Sequence, residues 1–308
     1  LLYITQRNVT QQMSIYNHER HGNILVTEHV KLLIEKDKRE RCPQRTEEWY
    51  QKRNNHLTAS AIATAVGANK YEKKSVLIKR KTGLAPAFKG NAATEHGNKY
   101  EFTAIEKYEQ STGQKVIEFG LLKSLNEGED FIAGSPDGIT ASGRLIEVKC
   151  PLRRKIGDFV PDMYKYQIQT LMHILHLDSC DFIQYKPETI WTNEVFVITH
   201  VKYEPQFWLN IFPQLQRCWE EILDTRERIA ARKGLGGGDE SNDDEEDDKD
   251  DDNMVKNEKM FPNGKEITIT EKKTTDIVID MKSLSQRPEF TKEPDWSGME
   301  GFFANFVK

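Results

Sequence analysis

Between Phe131 and Cys150 apolar and polar residues alternate in the rhythm of two strands. FIAGSPDGIT and RLIEVKC flank a turn at Ala141-Ser142-Gly143, and Pro151 stops the second strand. Alternation puts Glu147 and Lys149 on one face and Ile146 and Val148 on the other. Before this hairpin the three-to-four residue period of helices dominates. ILVTEHVKLLIEKDKRE, residues 24–40, predicts an amphipathic helix with Val26, Val30 and Leu33 on one stripe. RTEEWYQKRNNHLTASAIATAVG predicts a short helix carrying Trp49 and Arg53, then a small-residue helix capped by Thr58 or Ser60. A basic helix over 72–82 ends at Gly83, and a helix over 99–110 is stopped by Gly113. VIEFGLLKS reads as one strand. After the hairpin come a polar loop with Arg153, Arg154 and Lys155, a helix over 162–177, strands at DFIQYKP and NEVFVITHV, and a long amphipathic closing helix from Pro205.

The anomalies in this pattern are charged residues where apolar ones are due. Glu101 shares its helix stripe with Ala104, Ile105 and Tyr108. Asp137 sits at the bend between Pro136 and Gly138, close to the strand carrying Glu147 and Lys149. Carboxylates converging in an apolar sheet are costly unless paired, and a hard divalent cation is their natural partner. Asp-Gly turns and exposed E-x-K strands are also common, so the hairpin alone leaves both readings open. Trp49, Arg53 and the Thr58-Ala59-Ser60 cap likewise read either as a staple, a surface arginine and an N-cap, or as an anion site. The basic helix offers a solvated face or a DNA-backbone contact. His173 and His176 lack a third ligand and read as packing residues.

Composition changes the picture at one place. The formal net charge of −5 conceals residues 239–252, which hold eleven acids and one lysine, while the rest of the chain carries 43 basic and 38 acidic residues. A basic body suits an anionic partner. The acidic run and GLGGG predict a disordered linker over 234–260, followed by a tail, 261–308, with two β-prone runs (EITIT and DIVID) and an aromatic end. Four scattered cysteines predict reduced thiols in an intracellular, non-secreted protein, and no apolar run is long enough to span a membrane.

Taken in order, the blocks W-Y-Q-K-R-N-N-H-L-T-A-S (49–60), H-G-N-K-Y-E (96–101), S-P-D-G (135–138), L-I-E-V-K-C-P (145–151) and Y-K-Y-Q-I-Q (164–169) resemble the phage lambda exonuclease, or YqaJ viral recombinase, family of PD-(D/E)xK nucleases. The resemblance implies an α/β fold, with a central mixed sheet flanked by helices in a nuclease domain over 42–233; residues 1–41, which match none of these blocks, read as a helical extension. It implies two Mg²⁺ ions (Mn²⁺ substituting) held by Asp137, Glu147, the Val148 carbonyl and Glu101. Lys149 would activate the attacking water, and Gln167 would fix the scissile region. Arg53, Ser60 and Ser135 would hold a 5′-phosphate. The expected activity is 5′-to-3′ digestion of double-stranded DNA ends, leaving 3′ single strands for viral or phage recombination. A single-strand annealing protein would be the partner and a ring trimer the assembly, in the host cytoplasm or nucleus if the source is viral. Alternatives are a structure-specific endonuclease, an RNA-degrading viral nuclease, or a catalytically silent DNA-end-binding adaptor.

Overall fold

The computed structural model describes residues 12–234 apart from 41, 87–89 and 191. The chain divides into two units, Leu1–Asn242 and Asp243–Lys308, and all described residues belong to the first. The predictions for the acidic linker, the two β-prone runs and the aromatic end lie outside the described residues.

The chain enters through a hairpin, β1 (Met13–His18) and β2 (Gly22–Thr27), followed by α1 (Glu28–Glu40). The sequence predicts helix from Ile24, but Ile24 and Val26 are β-branched and pair across to β1. Thr27 then caps α1, its Oγ1 accepting the Val30 N–H at 3.2 Å. Val26, Val30 and Leu33 are fully buried, as the stripe predicts. The Thr27 N–H also donates to the Ala141 carbonyl at 3.1 Å, so this segment packs into the domain rather than extending from it.

Next come α2 (Glu47–Asn54), capped by Thr46, β3 (Leu57–Thr58), a 3-10 turn over Ala59–Ala61, α3 (Ile62–Ala65) and α4 (Lys74–Lys81). The basic face expected of α4 is only partly free. Lys81 turns inward and is buried, Arg80 pairs with Glu72, and Lys74 pairs with Glu221. Helix α5 (Ala92–Thr112) is capped by Asn91 and ends at Gly113 in the left-handed region, φ 71°.

Both runs expected to be single strands are broken and shared between two sheets. VIEFGLLKS becomes β4 (Val116–Ile117) and β5 (Leu122–Lys123); FIAGSPDGIT becomes β6 (Ile132–Gly134) and β7 (Gly138–Thr140). The small sheet orders β3-β6-β5. The large sheet orders β10-β9-β8-β7-β4, with β8 (Leu145–Lys149), β9 (Ser179–Lys186) and β10 (Val195–Lys202). Only β8 and β9 pair in parallel within the large sheet, joined through α6 (Asp162–Ile174). One side chain ties the two crossings together, because the Gln44 amide donates to both the Phe119 and Pro136 carbonyls at 3.0 Å. Gly134 lets α6 approach the crossing: a Cβ there would stand 2.4 Å from Leu171 Cδ2.

Alternation along β8 splits the core. Leu145 packs with α1, α6 and the closing helix α7 (Pro205–Gly234), while Ile146 and Val148 pack with Ala104, Ile105 and Tyr108 of α5. The mixed sheet is therefore flanked by helices on both faces, the predicted fold class.

Candidate active site

The crossing at Ser135-Pro136-Asp137 brings the predicted acids together. Asp137 leaves β6 just before β7 begins, and its Oδ2 accepts the Val148 N–H at 2.7 Å. Glu147, fully buried, is ion-paired with Lys149 on the same face of β8, and its Oε2 is buried with no hydrogen-bond partner. Glu101 reaches in from α5 and pairs with Arg45 at 2.9 Å.

These groups feel one another. Burial, then the charge on Asp137, pushes Glu101 up to about 7 against the pull of Arg45 and Lys149. Burial and Asp137 likewise raise Glu147, with Lys149 opposing, and burial raises Asp137. Burial works against the charge on Lys149, but Glu147 and Asp137 outweigh it and hold the ammonium protonated. Three carboxylates thus share two cations, Lys149 and Arg45. Lys149 Nζ also lies over the Tyr164 ring of α6, 5.2 Å from its centroid, and the Arg154 guanidinium lies 5.7 Å from the same ring. Gln167 is half-buried one turn along α6 from Tyr164.

Among the described residues, no three His, Cys, Asp or Glu side chains already stand as a metal cluster. Lys149 and Arg45 each pair with one of the carboxylates. The donor set nevertheless fits a divalent cation. It is all carboxylate oxygen, three acids stand against the two bases Lys149 and Arg45, and the Glu147 Oε2 atom has nothing to accept. A cleft of about 920 Å³ opens beside it, bordered by Arg45, Asn98, Glu101, Phe102 and Asp137.

The second predicted group also converges. The Arg53 guanidinium lies over the Trp49 ring at 4.3 Å, and its Nη2 donates to Ser60 Oγ at 3.1 Å. Trp49 Nε1 donates to Ser135 Oγ at 2.8 Å. Arg53, Ser60 and Ser135 are thereby arranged around one indole, with Ser135 two residues from Asp137. Trp49 is the member that sequence reasoning missed as a site residue, although it heads the block containing Arg53 and Ser60. Arg45 left no such signal. Its left-handed backbone, φ 68°, is rare for a side chain other than glycine and is not written in its residue type.

His173 and His176 lie among packing and hydrogen-bond partners. His173 stacks on Trp208 at 3.9 Å and bonds to Glu129 and the Tyr203 hydroxyl, and His176 bonds to Asn126. The four cysteines are free and buried, and no helix among the described residues is long and apolar enough to cross a membrane.

Residues 48–178 match the YqaJ-like viral recombinase domain. The chain carries a domain of this family. The chain also aligns with protein R354 of Acanthamoeba polyphaga mimivirus, 35% identical over 172 residues, half of this chain and 31% of that protein. Among solved structures, the alkaline exonuclease LHK-Exo of Laribacter hongkongensis superposes with a TM-score of 0.51 at 23% identity, covering 62% of this chain and all of the other. Its complex with dAMP matches equally, at 24% identity. At that identity the likeness shows the fold alone.

Proposed function

We propose that the chain is a Mg²⁺-dependent exonuclease that digests double-stranded DNA from 5′ ends and leaves 3′ single strands. The observation that carries this reading is the adjacency of two sites on one crossing. Ser135 belongs to the Arg53–Ser60–Trp49 group, and Asp137 to the carboxylate group. A terminal phosphate held by the first would present the following phosphodiester to the second. The YqaJ-like domain and the fold shared with an alkaline exonuclease support the same chemistry.

Glu101, Asp137 and Glu147 would hold the metal, and bound Mg²⁺ supplies a water acidic enough to attack at neutral pH. Metal binding needs all three carboxylates ionised, so Glu101 and Glu147 would give up the protons that their raised affinities favour. Lys149, held protonated by Glu147 and Asp137, would offer its ammonium to the charge developing on the phosphoryl oxygens. Tyr164 beneath Lys149 limits where that ammonium can point. Arg53 offers a planar fork of donors, and Ser60 and Ser135 offer hydroxyls, which together suit the oxygens of a terminal phosphate.

The test compares end-labelled linear, nicked and circular DNA with Mg²⁺, with and without a 5′-phosphate. Linear duplex bearing a 5′-phosphate should be degraded fastest and closed circles not at all. Arg53→Ala should slow the 5′-phosphorylated duplex far more than the 5′-hydroxyl duplex, narrowing the gap between them. Cutting of closed circles, or equal slowing of both ends in Arg53→Ala, would overturn the reading.

A further inference from the structure

The C-terminal end of α2, from which Arg53 projects, is held by side chains from outside the helix. Its last carbonyls would ordinarily lack partners and present a partial negative charge. Here His56 Nδ1 bonds to the Lys52 carbonyl at 2.7 Å. Lys81 Nζ, buried at the end of α4, donates to the Arg53 carbonyl and, at 2.7 Å, to the His56 carbonyl. Arg226 of α7 donates through Nη2 to the Asn54 carbonyl at 2.8 Å and through Nε and Nη2 to the Lys81 carbonyl at 3.1 and 2.8 Å. Arg226 is itself braced over the Trp219 ring, 5.5 Å from its centroid.

This arrangement has an electrostatic side. Arg53, Lys81 and Arg226 each donate only to carbonyl or hydroxyl oxygens, and among the described residues none of the three is paired with a carboxylate. Burial and the charges of Arg53, Arg226 and Arg80 push Lys81 down to about 7. Three basic groups kept together without an acid, one of them buried and ready to lose its proton, are a cluster whose full charge a bound anion would restore.

We propose that Lys81 and Arg226 are positioning residues for terminal-phosphate recognition. They fix the backbone of Arg53 from beneath and supply the uncompensated positive field that favours a phosphate dianion over an uncharged hydroxyl end. The inference rests on the phosphate-pocket reading above and extends it to two residues outside every matched sequence block. Arg53 is thus located three ways: by carbonyl bonds at its backbone, by the indole under its guanidinium, and by Ser60 at its tip.

The experiment measures affinity for duplex with a 5′-phosphate and with a 5′-hydroxyl, using the full chain with Ca²⁺ in place of Mg²⁺ to suppress turnover. In Lys81→Met and in Arg226→Gln the ratio of the two affinities should fall roughly five- to tenfold, the scale of one lost charge interaction in a partly buried setting. Arg226→Lys, which keeps the charge but not the forked geometry, should recover part of it. A purely structural role would weaken both substrates together and leave the ratio at its wild-type value, which would overturn the proposal. Arg226 is half-exposed, so its variants keep the test decisive if Lys81→Met does not fold. A wild-type ratio of one would remove the phosphate pocket itself. A ratio lost in Arg53→Ala but kept in both Lys81→Met and Arg226→Gln would sink this inference alone.

Discussion

Replacing Glu147 by Gln should make the metal-free protein more stable at pH 8 while leaving its stability at pH 5 nearly unchanged. Glu147 is fully buried, and its affinity for a proton rises from the ordinary 4.5 to about 8. A carboxyl raised in the folded state binds a proton there that the unfolded chain has released, so stability falls as pH climbs from 4.5 toward 8. At about 1.4 kcal/mol per pH unit the ceiling is roughly 5 kcal/mol. The pull of Lys149 is already within that figure; what the substitution costs separately is a buried Lys149 donor left short of its carboxylate acceptor, up to about 3 kcal/mol. Asp137 remains as a counter-charge to Lys149, and the substitution leaves Asp137 and Glu101 facing Lys149 and Arg45 in balance. The net gain is about 2 kcal/mol, or about 4–8 °C in Tm for a domain of this size. Thermal unfolding in a chelator at pH 5 and pH 8 reads it directly. Added Mg²⁺ at pH 8 should then raise the Tm of wild type more than that of Glu147→Gln. A variant less stable than wild type at pH 8, or a gap of the same size at both pH values, would refute the argument.

Four further outcomes follow from the same geometry. Lys149→Ala should abolish cleavage while Mg²⁺-supported DNA binding persists in a gel-shift assay, because Lys149 is assigned to charge stabilisation rather than to holding metal. Trp49→Phe keeps a ring under Arg53 but loses the donor to Ser135; its activity on 5′-phosphorylated ends should fall by about tenfold, the worth of one hydrogen bond, and Trp49→Ala should cost more. Gly120→Ala would place a Cβ 2.1 Å from the Cys42 carbonyl oxygen, so denaturant unfolding should show a loss of about 2 kcal/mol or more. Burial raises the Cys150 thiol to about 12 and Cys180 well above its ordinary value, so a thiol reagent at pH 8 should label neither quickly until the chain unfolds.

Glu101, Asp137, Glu147 and Lys149 stood out as candidates because each is charged where apolar residues are due, whereas Arg53, Ser60, Ser135 and Gln167 took their roles from the family resemblance alone. Glu101 interrupts an apolar stripe, and Glu147 and Lys149 share one face of an otherwise apolar strand; the structure places both as the periodicity implies. The closing helix, the Gly113 stop and the helix between parallel strands were readable for the same reason, since caps and periods are local. What was not legible depends on contacts made across the chain. The breaks in VIEFGLLKS and FIAGSPDGIT reflect pairing with different sheets, and nothing within either run announces a change of partner. The start of α1 was misplaced because Ile24 and Val26 satisfy a helical stripe and a strand equally, and pairing with β1 decided between them. Lys81 looked like one more surface charge on a basic helix. Only the carbonyls at the end of α2, twenty-five residues or more away, draw it inside.

The crossing of the chain between two sheets has a consequence for when the molecule becomes whole. The parallel partner of β8 is β9, which begins at Ser179, after all three carboxylates have been made. Arg226, which donates to the Asn54 carbonyl at the end of α2, is translated later still. A nascent chain paused before those points already carries Glu101, Asp137 and Glu147, yet it lacks the strand that completes their sheet on one side. Pairing of such long sequence separation forms late and all at once rather than piecemeal. A chain halted before Ser179 should therefore carry its three carboxylates on a sheet still open at β8, and reach the folded arrangement only once β9 and α7 have been made.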